Sequence, residues 1–332
     1  MRLSRRSRPV WQWLLPVVIL AILALAGWIN LPQIGRLFDG SADRISALPA
    51  APAFTRGQRI LILSPHPDDE TLCCGGMIAG AVAAGAQVSV VWATAGDGFE
   101  FAASLSSRTL DPGDAQMRAL GQTRVQEARK AAGVLGVPIS NTFMLGYPDG
   151  GLSALFTTNY DEAFTSVTTG ASAVYVRGAL TPDAPYTGRA LEADLNRVLD
   201  RVKPDLVLAP APQDFHPDHR TLSYIALRLM SARGQAERLR FWVVHGGLEW
   251  PVPKGLHPEL PLTLPPLATG LPWERIDLSA PELERKGRAI DAYATQTRIM
   301  GRFMRAFVRR NELLSAEPLP EPVALPSSSQ GP

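Results

Sequence analysis

Two short segments gather the residues best suited to metal-assisted hydrolysis: Pro65-His66-Pro67-Asp68-Asp69-Glu70 and, far downstream, His216-Pro217-Asp218-His219. A catalytic zinc site takes three nitrogen or carboxylate ligands and keeps one position open for water. The two segments supply enough such groups and leave a carboxylate over. A spare aspartate next to water of lowered pKa serves as general base for attack on an amide carbonyl. A further histidine then stabilises the oxyanion or protonates the leaving amine. One His-Pro-Asp turn alone is as readily a self-bonded turn with a packed histidine. Two of them, each following a strand pattern, point to a site.

The sequence of strand, PHPDDE, small-residue helix and distant HPDH resembles the PIG-L/LmbE family of zinc-dependent N-acetylglucosaminyl deacetylases and related amidases. The likeness runs over roughly residues 59 to 296 and takes in Arg124 and Glu127 ahead of Leu135-Gly136-Val137, then Gly146 with Asp149-Gly150, and finally Lys286, Tyr293 and Gln296. The resemblance implies that His66, Asp69 and His219 hold the metal and that Asp68 is the general base. It implies His216 as acid or oxyanion partner, with Asp218 as the carboxylate that orients and charges it. Zinc is the ion implied, and Fe(II) also suits a His-His-Asp set. The implied substrate is the N-acetyl amide of an N-acetylglucosamine-containing glycan, glycolipid or glycoside. Two other readings stand beside it: an amidase acting on another amide such as a thiol conjugate, and a membrane-tethered glycan-binding protein without chemistry.

Several neighbouring residues have plainer expectations. Arg124 is either a substrate contact or a solvated helix arginine. Glu70 reads as a carboxylate placed favourably against a helix dipole. Cys73 and Cys74 precede Gly75-Gly76 and read as tight packing; being adjacent, they staple no distant segments. His245 and His257 lack a partner pattern and are expected to pack or lie exposed; for His245, which ends a strand near the site face, lining the pocket is the alternative.

The two loops need rigid elements behind them. Residues 59 to 64 and 204 to 210 are apolar strand patterns that lead into them, and 71 to 84 and 221 to 232 read as the helices that follow. Residues 87 to 94, 142 to 145 and 240 to 245 are further strands. Residues 122 to 135, stopped by Gly136, and 190 to 201 are helices, and 281 to 311 is one long helical region. Its latter part, 298 to 310, reads as core packing with a basic outer face, membrane contact being the alternative. The weakly patterned regions 99 to 118 and 150 to 189 read as loops that line the substrate, with a hairpin candidate at 172 to 177. Alternating strands and helices predict an α/β fold: a Rossmann-like, mostly parallel sheet with helices on both faces, in a single domain, with ligands at the carboxyl ends of the strands.

Bulk properties narrow the partners. The chain has 332 residues, 46% hydrophobic and 19% charged, which describes a globular protein rather than a disordered one. A formal charge of +2, with basic residues gathered at the two ends, gives no reason to expect nucleic acid. Arg2, Arg5, Arg6 and Arg8 precede an uncharged run from Val10 to Leu31, which predicts an N-terminal transmembrane helix with the catalytic domain outside the cytoplasm. Cleavage near Ala24-Leu25-Ala26 would instead give a secreted protein. The expected division is 1–31 leader and anchor, 32–57 linker, 58–312 deacetylase-like domain and 313–332 Pro/Ser-rich tail.

Overall fold

Arg59–Ser64 (β1) is an unbroken apolar run whose Ile60, Leu61 and Ile62 have no exposure, as expected of a parallel strand covered on both faces. It pairs in parallel with Gln87–Thr94 (β2) on one side and Leu206–Pro210 (β4) on the other. Thr142–Tyr147 (β3) extends the sheet beyond β2, and Leu239–Trp242 (β5) extends it beyond β4. The computed structural model describes residues 11–30, 40–247 and 249–318. The leader arginines, part of the linker and the tail beyond 318 lie outside them.

The seven strands run β3-β2-β1-β4-β5-β7-β6, where β6 is Trp273–Asp277 and β7 is Asn311–Ser315. The chain leaves β1 toward β2 and β3, then crosses back to β4 and β5. The strand order therefore reverses between β1 and β4, which opens a crevice at their carboxyl ends. Asp69–Ala83 (α3), Asp114–Leu135 (α5) and Ala280–Asp291 (α9) pack together on one face. Leu152–Phe156 (α6), Gly188–Val202 (α7) and Pro217–Ala232 (α8) pack together on the other. One continuous apolar core lies between the layers, so the expected single α/β domain is observed.

Several local expectations need correction. Residues 99 to 118 are not simply loop: Glu100–Ser107 (α4) is a helix because Ala102 and Ala103 pack on Met117 and Leu120 of α5. The candidate hairpin at 172 to 177 is reduced to one isolated bridge, Ala173 to Pro185. The single helix expected over 281 to 311 is broken. Tyr293 leaves helical geometry at φ −82, ψ 63, and Ala294–Arg305 (α10) starts afresh. Strands β6 and β7, which pair antiparallel, were not foreseen, since β6 reads as a charged stretch. Within the expected linker, Gly40–Ala47 (α2) buries Ile45, and backbone bonds join Pro49 and Ala51 to Arg275 of β6.

Trp11–Asn30 (α1) is helical, with Leu15 through Leu25 exposed wherever the residue is large and apolar. The run counted from the sequence as a span, 10 to 31, extends past the residues whose side chains are described. Among the described residues, no helix is long and apolar enough to cross a membrane, so the transmembrane expectation finds no support there.

Candidate metal centre

Both motif loops leave adjacent strands at the crevice. Pro65 to Asp68 connects β1 to α3, and Ala211 to His216 connects β4 to α8. The first loop is pinned by Thr94, whose backbone N–H and hydroxyl both donate to Pro65 O at 3.0 Å. The second ends in a cap: His216 Nδ1 accepts the Asp218 N–H at 3.2 Å, and Pro217 fills the first helical position, where it costs no hydrogen bond. Asp68 stands at φ 119, ψ −30, a left-handed conformation that an aspartate adopts only under constraint.

The expected metal ligands come together. Asp69 Oδ2 lies 3.1 Å from His66 Nδ1 and 3.1 Å from His219 Nε2. The opposite nitrogen of each ring meets other carboxylates. His66 Nε2 is 3.2 Å from both Asp149 Oδ1 and Asp218 Oδ2, and His219 Nδ1 is 3.1 Å from Asp214 Oδ2. A proton held on those outer nitrogens leaves His66 Nδ1 and His219 Nε2 as lone-pair donors facing the Asp69 carboxylate. The inner His-Asp-His set is nitrogen and oxygen, with His66 and Asp69 on the cavity and His219 buried behind them, and it is surrounded by excess negative charge. These residues therefore fit a divalent cation of the zinc type.

Without a cation the carboxylates place positive charge on the rings instead. Burial opposes protonation of His219, yet Asp214 and Asp69 raise its pKa to about 9. His66 is likewise raised well above its ordinary value against burial, chiefly by Asp149. Burial works against ionised Asp69, but His219 and His66 hold its carboxyl well below the usual range. The other two rings go the opposite way: burial and the charge of neighbouring histidines lower His216 and His245 to about 4. Without a cation, His66 and His219 therefore carry protons while His216 and His245 stay neutral.

Asp68 is held apart from the ligands. Burial pushes its carboxyl up to about 8, with Arg124 pulling it down and Asp69 and Glu70 adding to the rise. Arg124 is neither the solvated arginine nor simply a substrate contact. It is 4% exposed and donates to Gly96 O and Pro67 O, each at 2.6 Å, and to Asp68 Oδ2 at 3.1 Å. Gly96 makes room for it: at φ +67, an added Cβ would stand 2.3 Å from the guanidinium.

Other residues take positions that the motifs left open. Asp218 was expected to orient His216, but its carboxylate accepts from Gly150 N at 2.7 Å and Leu152 N at 3.1 Å and faces His66. Its link to the His216 ring is its backbone N–H. Glu70 stands in the first turn of α3 as expected, accepting the Asp68 N–H at 3.3 Å, and is in addition a buried hub that takes the Trp92 indole N–H at 2.8 Å and the Tyr293 hydroxyl. His245 takes the pocket-lining alternative rather than packing or exposure: it sits 4.8 Å from the His219 ring and can join Asp69 and His219 as a metal donor. Asp214, and the place of Asp149 behind the His66 ring, were not foreseen. Their signal was faint: one aspartate two residues before the HPDH segment, one beside Gly150.

A cavity of about 630 Å³ opens onto this cluster. Gly98 and Phe99 line it, as the expectation for 99 to 118 partly required, but nothing from 150 to 189 does. The opposite wall comes from residues 244 to 254 and from Gln296, Met300 and Phe303.

A 1D-myo-inositol 2-acetamido-2-deoxy-alpha-D-glucopyranoside deacetylase of Nakamurella multipartita is 29% identical, over 60% of this chain and 58% of that protein. The protein of the same name from Kribbella flavida is 30% identical, over 74% of this chain and 85% of its own length. The match spans 59% of the relative from Actinosynnema mirum, so against it and the Nakamurella protein the chain spans under two thirds of the relative's length. Among solved structures, the N,N'-diacetylchitobiose deacetylase from Pyrococcus horikoshii is similar at 19% identity and a TM-score of 0.48, over 77% of this chain and 82% of that one. The family model described as PIG-L, GlcNAc-PI de-N-acetylase, matches residues 61–230, and with the Kribbella relative it shows that this chain belongs to the PIG-L family.

Proposed function

We propose that this protein hydrolyses the N-acetyl amide of an N-acetylglucosamine-containing glycan, glycolipid or glycoside, releasing acetate and a free amine. The observation that carries the reading is the single oxygen, Asp69 Oδ2, at 3.1 Å from both His66 Nδ1 and His219 Nε2, with Asp68 beside it in the same cavity. Its relatives carry the deacetylase name, which supports the same reaction class.

His66, Asp69 and His219 would hold the ion, zinc by preference and Fe(II) by the same ligand chemistry. When bound, a divalent ion polarises the amide carbonyl and makes water a nucleophile at neutral pH. Asp68 accepts the proton of the attacking water, and Arg124 fixes the carboxylate that does so. His216 accepts a backbone N–H at Nδ1, so its neutral ring carries the proton on Nε2. That N–H can donate a hydrogen bond to the oxyanion. Breakdown then transfers to nitrogen the proton that Asp68 took from water as the C–N bond breaks, so acetate and amine leave balanced.

The test is acetate release by the full chain, stripped of metal and reloaded with zinc, from a panel of N-acetylglucosamine-containing lipids, saccharides and thiol glycosides. Zinc-dependent release that disappears in Asp68→Asn supports the reading. No release from any member, with metal verified in the protein, moves the reading to another amide.

A location is proposed on the sequence alone. The four leader arginines and the apolar run after them argue for a tether to a membrane with the domain outside the cytoplasm, or for secretion after cleavage. Alkaline carbonate extraction and protease accessibility of intact cells distinguish these from an internal soluble protein.

A further inference from the structure

The catalytic wall of the cavity comes from within residues 61–230, where the family model matches, whereas the facing wall comes from beyond them. That facing wall contains a cation the hydrolysis does not use. Lys254 is 7% exposed, and among the described residues its ammonium makes no hydrogen bond. It sits 4.5 Å from the Phe303 ring centroid and 3.6 Å from Glu249, whose own side chain is 60% exposed. A second buried cation, Arg309, lies at the same end of the molecule, bonded to the carbonyl oxygens of His257 and Pro253.

The surroundings hold Lys254 in place. Gly255 N donates to Arg302 O at 2.8 Å, and Arg309 grips Pro253 O and His257 O on either side of the lysine. Trp250 packs edge-on against Phe307 at 5.4 Å, and Phe307 packs in the same way on Phe303. The Trp250 indole donates to Thr263 O, which locks its plane. The result is a fixed apolar wall with one desolvated ammonium in it. Burial lowers the lysine below its ordinary pKa, Glu249 opposing, and Arg309 adds to the lowering. Its ion-pair partner Glu249 stands at 3.6 Å and is itself 60% exposed, so water screens that pairing and the ammonium has room for a closer anion.

We propose that Lys254, with Trp250 and Phe303, forms a subsite for an anionic group carried on an apolar or aromatic portion of the substrate, next to the acetamido sugar. A carboxylate or a phosphate would satisfy the ammonium, and the flat or apolar part attached to it would lie along the Trp250 and Phe303 faces. This inference rests on the deacetylase reading for the word substrate; the binding site itself does not.

The experiment uses the full chain loaded with zinc and a matched pair of aryl N-acetylglucosaminides, 4-carboxyphenyl and 4-carbamoylphenyl, which differ in charge and little in shape. In the wild-type protein, kcat/KM for the carboxylate is expected to exceed that for the amide by about tenfold, mostly through KM. Lys254→Gln should collapse that ratio toward one, and Lys254→Arg should restore most of it. Calorimetric titration with the matching deacetylated glycosides reads the same preference without turnover. If no acetate is released but the carboxylate glycoside still binds about tenfold more tightly, the subsite stands while the reaction falls. Equal kcat/KM for both glycosides in the wild-type protein, with acetate released, overturns the subsite and leaves the reaction intact. Binding without charge preference overturns the subsite whether or not turnover is seen. The wild-type comparison needs no variant to fold.

Discussion

Asp214 holds the His219 ring from behind: its Oδ2 stands 3.1 Å from Nδ1, and neither side chain is exposed at all. The same oxygen accepts the backbone N–H of Val244 at 2.9 Å and of His245 at 3.0 Å, so the carboxylate cannot swing away from the ring. The histidine is thereby fixed in orientation, with Nε2 turned toward Asp69.

Removing that support should cost metal affinity. Asp214→Ala is expected to weaken zinc binding by roughly 10- to 100-fold, the usual effect of losing the carboxylate behind a ligand histidine. Competition against a coloured chelator measures it. Unchanged affinity in a folded variant would mean that Asp214 serves only the backbone at 244 and 245.

Asp68→Asn separates chemistry from binding. The amide keeps the shape and can still face Arg124, but it cannot accept a proton. Turnover should fall by about 10²- to 10⁴-fold while the zinc content of the purified protein stays near one equivalent. Near-normal turnover would remove Asp68 from the role of base.

Arg124 and Gly96 form a second, linked test. Gly96→Ala places a methyl group into the guanidinium and asks a residue with a side chain to hold φ +67. Both effects dislodge Arg124 from Asp68. The variant should lose activity chiefly in kcat and lose stability by about 1–3 kcal/mol. Arg124→Lys, which keeps charge but cannot span Gly96 O, Pro67 O and Asp68 together, should share the kcat defect.

A buried ion pair supports the floor of the site. Lys286 Nζ is 2.7 Å from Glu312 Oε1 and 2.8 Å from Leu72 O, with both side chains essentially unexposed. Glu312 also accepts Gly76 N and Met77 N of α3. Glu312→Ala leaves a buried ammonium alone and should destabilise by about 3–5 kcal/mol in urea unfolding. Replacing both partners by apolar residues should cost clearly less than the two single changes added.

Stability should carry a pH signature from Asp97. Burial and the charge of Asp149 raise its carboxyl to about 6, against hydrogen bonds that include one from Tyr175. A folded pKa above the unfolded one means that the native state binds the extra proton between about pH 4 and 6. Its contribution is present below that window and is lost as pH rises through it. The wild-type protein should therefore lose on the order of 2 kcal/mol relative to Asp97→Asn between pH 4 and pH 7. A constant difference between the two across that range would show that Asp97 titrates normally.

The sequence by itself determined the parts of this protein that are written locally. Apolar runs such as 59 to 64 and 206 to 210 read as parallel core strands, the first followed at once by a histidine-aspartate turn and the second after five intervening residues. That was enough to bring His66, Asp69 and His219 together, because a parallel sheet delivers its strand ends to one edge. The tertiary structure decided everything that depends on distant backbone. Asp214 became a support for His219 only when the segment after β5 supplied the N–H groups of Val244 and His245. Arg124 could have been any helix arginine until the loop at Gly96 closed over it. Asp218 turned to His66 rather than His216 because Gly150 and Leu152 present two N–H groups on that side. The break at Tyr293 and the strands β6 and β7 carried no local signal, since each exists to satisfy partners such as Glu70 and Ser315 that lie elsewhere in the chain. Periodicity and spacing record what a residue does with its neighbours in sequence; which carboxylate meets which ring is fixed by the packing of segments far apart.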